Sequence, residues 1–294
     1  MKNYTLILVF FLWNCVSRNA NQPLISEGAK PTLVSDQFAF TEGPASTKVG
    51  NVYFTDQPND IIYLWNWRTN KVSEFLNKTG RANGTYISNE GKLLTCSDEN
   101  GEIWEISADG SSKIIQKNIG GQRMNGPNDL WQDNSGGIYF TDPLYVRDYW
   151  KNFKQEIPNE SLYYRNPNGT ITKIDDFQQP NGIIGSEKFK KLYVSDIDAG
   201  KTYVYDIAST GKLQNRKIFC DMGSDGMTLD ERGNLYLTGD GVTVFNSKGE
   251  KIQHIEVPEK WTANVTFGGE NHQTLFITAS KSVYTLKMNV KGTK

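Results

Sequence analysis

Cysteine and histidine are scarce in this chain, three and two among 294 residues. So few cysteines exclude a disulfide scaffold, and Cys96 and Cys220 do not show metal-ligand spacing. Both follow apolar, strand-like runs and read as buried thiols, with their pairing left open. An excess of one charge is also lacking: 32 basic and 33 acidic residues leave a formal net charge of −1, mixed along the chain. That balance gives no electrostatic footprint for nucleic acid or anionic lipid. Sustained 3.6-residue periodicity is absent, which argues against a helical or doubly wound fold. The long apolar run from Leu6 to Trp13 is too short to span a bilayer, so no transmembrane domain is expected.

That run has another use. Lys2 precedes it and Cys15-Val16-Ser17 offers small residues after it, the pattern of a signal peptide over residues 1–17. The mature chain, 18–294, is then exported to a periplasmic or extracellular space. Cys15 could instead be a lipid attachment site, although Trp13 and Asn14 make a poor sequence before a lipidated cysteine.

Glycine (27 residues) and aromatic residues (12%) are plentiful, which suits many short strands joined by turns. One element recurs: a turn, two or three apolar residues, then Thr or Ser. The hydroxyl positions are Thr55, Thr95, Thr141, Ser195, Thr238 and Thr278, separated by 40, 46, 54, 43 and 40 residues. A second β-rich run follows each, and a hairpin with a more polar strand usually comes next. Four strands per unit at this spacing mark a propeller blade, and six units predict an all-β, six-bladed β-propeller. The sixth unit lacks a fourth strand, while residues 31–38 form an orphan strand at the other end. Lending that N-terminal strand to the last blade would close the ring and remove an exposed edge.

A second pattern runs in phase with the first. Glu42, Asn83, Asn128, Asn181, Asp225 and Asn264 precede their hydroxyl marks by 13, 12, 13, 14, 13 and 14 residues. Five of the six lie beside a glycine or proline, where Asn and Asp are ordinary turn residues. Six in phase mean equivalent positions at the start of each innermost strand, converging on one mouth of the central channel. Two carboxylates, four amides and no His or Cys select a hard cation. Ca2+ fits best, with Mg2+ or Mn2+ next and Zn2+ an option. Without a cation the two carboxylates would repel, and one would keep its proton.

These motifs resemble the senescence-marker/gluconolactonase family of calcium-dependent propeller hydrolases. The resemblance covers roughly residues 36–288. It is carried by Phe40-Thr41-Glu42-Gly43-Pro44, Asn125-Gly126-Pro127-Asn128-Asp129-Leu130, Gly137-Ile138-Tyr139-Phe140-Thr141-Asp142-Pro143, Gln179-Pro180-Asn181-Gly182, Ser224-Asp225-Gly226-Met227 and Asn264-Val265-Thr266-Phe267-Gly268-Gly269. It implies that Glu42, Asn181 and Asp225 are metal ligands, with Asn128 at the metal and in contact with substrate. Asp225 would be the catalytic proton donor and acceptor, and Arg123 a candidate for binding a small sugar lactone. The gluconolactonase subgroup often follows Leu-Leu-Thr-Cys with Glu-His-Gly. Here Cys96 runs into Ser97-Asp98-Glu99, which bears on substrate choice.

Lactone hydrolysis is the leading expectation. A phosphotriester or organophosphate hydrolase is the second, and a non-catalytic binding propeller with a structural cation the third. His254 and His272 lie in polar hairpin contexts and are expected to be exposed, which disfavours histidine-dependent relatives. The longest insertion, 142–161, would be either a lid over the mouth or a packed surface loop. Asp129 is expected to brace its loop rather than touch the ion.

Overall fold

Each repeated unit folds into a four-stranded antiparallel sheet, and six such sheets form the blades of a propeller in the computed structural model. The structure describes residues 22–151, 153–209 and 211–293. The expected signal peptide over 1–17, with Cys15, lies outside the described residues. Among the described residues no helix is long and apolar enough to cross a membrane.

The innermost strands of blades one to six are Thr41–Ser46, Ala82–Ile87, Leu130–Gln132, Pro180–Ser186, Met227–Leu229 and Thr262–Gly268. The second strand of each blade carries the hydroxyl mark. Closure occurs as the orphan strand suggested: Thr32–Ser35 pairs with Ser282–Lys287 as the outermost strand of blade six.

The core lies between blades. Phe54 and Trp65 of blade one meet Phe276 of blade six, and Trp131 and Tyr139 of blade three meet Ile183 and Val194 of blade four. Both faces of each sheet are therefore covered, so the middle strands read as apolar runs rather than alternating ones. Outer strands such as Lys212–Cys220 are mostly exposed and polar. Cys96 and Cys220 are buried and free, and burial raises both thiols, Cys220 to about 11. They are inert packing residues rather than a disulfide.

The hydroxyl marks have a specific task. All six are buried, and several fasten one blade to the next. Thr55 Oγ1 donates to Asn83 O at 3.1 Å, Thr141 Oγ1 to Asn181 O at 2.7 Å, and Thr238 Oγ1 to Ala263 O at 2.8 Å. Blade geometry and the inner polar ring are thus tied by the same hydrogen bonds. In blades one and six the two patterns are also register partners, Glu42 opposite Thr55 and Asn264 opposite Thr278.

Candidate active site

The six in-phase residues do come together, as a chain of contacts around the channel mouth. Gly43 has φ 43°, and a Cβ there would lie 2.0 Å from Asn83 O, so only glycine fits. Gly84 N donates to Asn128 O at 2.8 Å. Thr141 then links blade three to Asn181, and a Cβ on Gly182 would lie 2.5 Å from Asp225 O. Thr238 links blade five to blade six, and Asn264 Nδ2 donates to Glu42 Oε2 at 3.1 Å, which completes the circuit.

Within this ring the side chains differ. Glu42 is buried, and its Oε2 also accepts from Gly43 N at 2.6 Å. Burial first, and the nearby Asp225 second, hold its pKa well above the usual carboxylate range. Burial raises Asp225 to about 6, opposed by hydrogen bonds from Trp261, Asn181 and Glu42. Asp225 Oδ2 accepts from Trp261 Nε1 at 2.6 Å. Asn181 Nδ2 donates to the Tyr145 hydroxyl at 2.9 Å. Asn264 spends its oxygen on Val265 N and its nitrogen on Glu42, which makes it a brace. The side-chain amides of Asn83 and Asn128 bond nothing among the described residues.

Asp129 is buried and accepts from Leu130 N at 2.9 Å and Ile183 N at 3.3 Å, so it ties blade three to blade four. Burial pushes its pKa up to about 7.

The donor chemistry suits a hard cation. Two neighbouring carboxylates resist double ionisation when metal-free, and oxygen atoms of Asn181 and Asn128 can add to theirs. Among the described residues no three His, Cys, Asp or Glu side chains gather, so the set is two carboxylates with amides. Glu42, Asn181 and Asp225 would hold such an ion, with Asn128 beside them.

Two expectations are corrected. Arg123 is not aimed at the mouth. Its Nη1 donates to Met124 O and Asn125 O, and its Nη2 to Asp98 O and Glu99 O, at 2.7–3.3 Å. The guanidinium is stacked on Trp150 and Phe153, 4.5 and 4.9 Å from their ring centres. Arg123 is a strut for the loop, its terminal donors consumed by carbonyls. The histidines are half-buried rather than exposed. His254 Nδ1 lies 3.1 Å from Thr243 Oγ1, and His272 lines the far end of a 340 Å3 cavity in the central channel.

The insertion packs across the mouth rather than away from it. Tyr145 reaches Asn181 in blade four, while Arg147, Tyr149 and Trp150 reach Asp98 in blade two. Sequence reasoning marks these residues only as parts of a long insertion. Trp261 goes unmarked, although an aromatic residue three positions before the sixth motif was a usable signal.

Fold and site together define a class: a six-bladed propeller with a carboxylate–amide centre at one channel mouth. Residues 40–281 match the SMP-30/Gluconolactonase/LRE-like region, and the chain belongs to that family. It is 30% identical to a gluconolactonase of Zymomonas mobilis, over 88% of this chain and 82% of that protein. It is 26% identical to the diisopropyl-fluorophosphatase of Loligo vulgaris, over 84% and 88% of the two chains. A gluconolactonase structure from Xanthomonas campestris superposes with a TM-score of 0.83 at 28% identity, covering 90% of this chain and 91% of that one.

Proposed function

We propose that the protein is a divalent-cation-dependent hydrolase that opens a sugar lactone by attack of water on the ester carbonyl. The observation that carries this reading is the pair of buried Glu42 and half-buried Asp225, which lies beside Asn181 and the Asn128 amide that bonds nothing among the described residues. The lactone as substrate class is supported by the gluconolactonases among its relatives.

When bound, a divalent cation supplies Lewis acidity toward the carbonyl and charge for the developing oxyanion, with Ca2+ the first choice for oxygen donors. The remaining work falls to side chains. Trp261 donates to Oδ2 of Asp225 and orients the carboxylate, which takes a proton from the attacking water. Asp225 then returns that proton to the departing ring oxygen, which gives the open-chain hydroxy acid. The Asn128 amide can orient the substrate's oxygens. Tyr145 holds Asn181 in place and narrows the mouth on one side. Export through residues 1–17 belongs to the same proposal, and N-terminal sequencing of protein recovered from the periplasm or medium tests it.

A pH-indicator assay on glucono-δ-lactone, with and without chelator, tests the activity. Acid release that stops on chelation and returns with Ca2+ supports it; unchanged release counts against the cation. The 26% identical fluorophosphatase relative favours phosphotriester hydrolysis as the second reading, and the same assay with a phosphotriester ranks the two.

A further inference from the structure

The grip of the insertion on the mouth centres on Asp98, whose side chain is 4% exposed. Its Oδ2 accepts from the Tyr149 hydroxyl, from Arg147 Nε at 3.0 Å and from Gln57 Nε2 at 3.3 Å. Its carbonyl accepts from Trp150 Nε1 at 3.0 Å. One carboxylate therefore ties the insertion of blade three to blades one and two.

The end of Arg147 stays free. Its two terminal nitrogens make no hydrogen bond among the described residues. The guanidinium lies 5.4 Å over the ring of Tyr145, whose hydroxyl holds Asn181, and its positive charge favours the ionised form of Asp225. The contrast with Arg123 is direct: there the terminal nitrogens bond four carbonyls, and here only Nε is used.

We propose that Arg147 binds the ring hydroxyl oxygens of a polyhydroxylated lactone, and that Asp98 is the residue that positions it. This inference rests on the lactonase reading. A guanidinium presents N–H groups in a rigid planar fork, which can meet two neighbouring oxygens at once. With Nε held by a buried carboxylate, the fork is aimed before substrate arrives and little side-chain freedom is lost on binding. Asp98 also balances the charge of Arg147, so the pair suits a neutral sugar lactone better than an anion.

The test compares wild type with Arg147→Met, Arg147→Lys, Asp98→Asn and the Arg147→Met/Asp98→Asn double variant. Two substrates are used, glucono-δ-lactone and δ-valerolactone, which has no ring hydroxyls. Binding of unreactive glucono-δ-lactam to the Ca2+-loaded protein is measured by calorimetry. Arg147→Met is expected to raise KM for the hydroxylated lactone by on the order of 10- to 100-fold, the worth of a charged hydrogen bond, with kcat little changed. The unsubstituted lactone should be nearly unaffected, and lactam binding should weaken in parallel with KM. Arg147→Lys should recover only part of the loss, because an ammonium is a point donor. Asp98→Asn should shift KM the same way and add nothing to Arg147→Met. Equal losses on both lactones, unchanged lactam binding in Arg147→Met, or full additivity in the double variant would each overturn the proposal. A wild type that binds the lactam but hydrolyses neither lactone counts against the lactonase reading alone.

Discussion

Two kinds of carboxylate are set around the channel mouth, all of them buried except the half-buried Asp225. In blades one, three and four the hydroxyl mark is followed by an aspartate whose oxygens are occupied by backbone N–H groups. Asp56 accepts from Ala39 and Phe40, Asp142 from Asn125 and Gly126, and Asp196 from Gln178 and Gln179. Each fixes the turn that leads into an innermost strand. Glu42 and Asp225 instead face each other and draw on side-chain donors, Asn264 for Glu42 and Trp261 for Asp225, with one backbone N–H at Glu42. Burial raises Asp142 to about 7 and Asp225 to about 6, so a perturbed pKa does not separate the two kinds. Their partners do. A carboxylate filled by backbone amides holds the scaffold, and one left facing its like is available for an ion or a proton.

Substitutions at the two kinds should therefore have different signatures. The largest effect is expected for Asp225→Ala, with lactone turnover reduced by roughly 1,000-fold or more and folding little changed, because both a ligand and a proton carrier are removed. Steady-state rates beside a thermal melt check this; retained turnover would remove Asp225 from its role. Asp142→Ala should show the reverse priority. It strands two buried N–H groups at a cost of about 3 kcal/mol, which lowers Tm by roughly 6–12 °C.

A smaller effect concerns pH. The raised pKa of Asp225 means that metal-free protein keeps a proton up to about pH 6 that the unfolded chain releases near its ordinary value of 3.8. The folded state binds more protons in that window, so this group's contribution to stability falls as pH rises through it. A cation replaces the proton, so the Tm gap between Ca2+-loaded and chelated protein should widen from pH 5 to pH 7. A gap that is constant with pH would separate the cation from this carboxylate. The smallest effect is expected for Thr141→Val, which leaves Asn181 O without its donor from blade three, at about 1–2 kcal/mol. A melt measures it, and no change in Tm would show that the cross-blade bond is dispensable.

Blade number and the polar ring were legible in the sequence because one physical link produces both patterns. The hydroxyl marks fasten the backbone of the inner polar residues, so the spacing between them cannot drift far; Glu42 and Thr55 are partners in register. The closing strand was legible because a missing fourth strand and an orphan strand complement each other. Contacts without a period were not legible. Asp98 meets Arg147 across 49 residues and Trp150 across 52, in a segment present in one blade only. Arg123 misled for a related reason. Its place beside the Asn128 motif suggested substrate, but Trp150 and Phe153 cover its flat face and four carbonyls take its terminal nitrogens.

The central claim is that Glu42 and Asp225 lie together in order to hold a cation needed for lactone opening. Calorimetric titration of chelator-treated protein with Ca2+ tests it most directly, in wild type and in Glu42→Gln. The account predicts one binding event per wild-type chain and binding weakened by at least tenfold in Glu42→Gln, as expected for loss of one of two ligand carboxylates. Binding of equal strength in both proteins would contradict it.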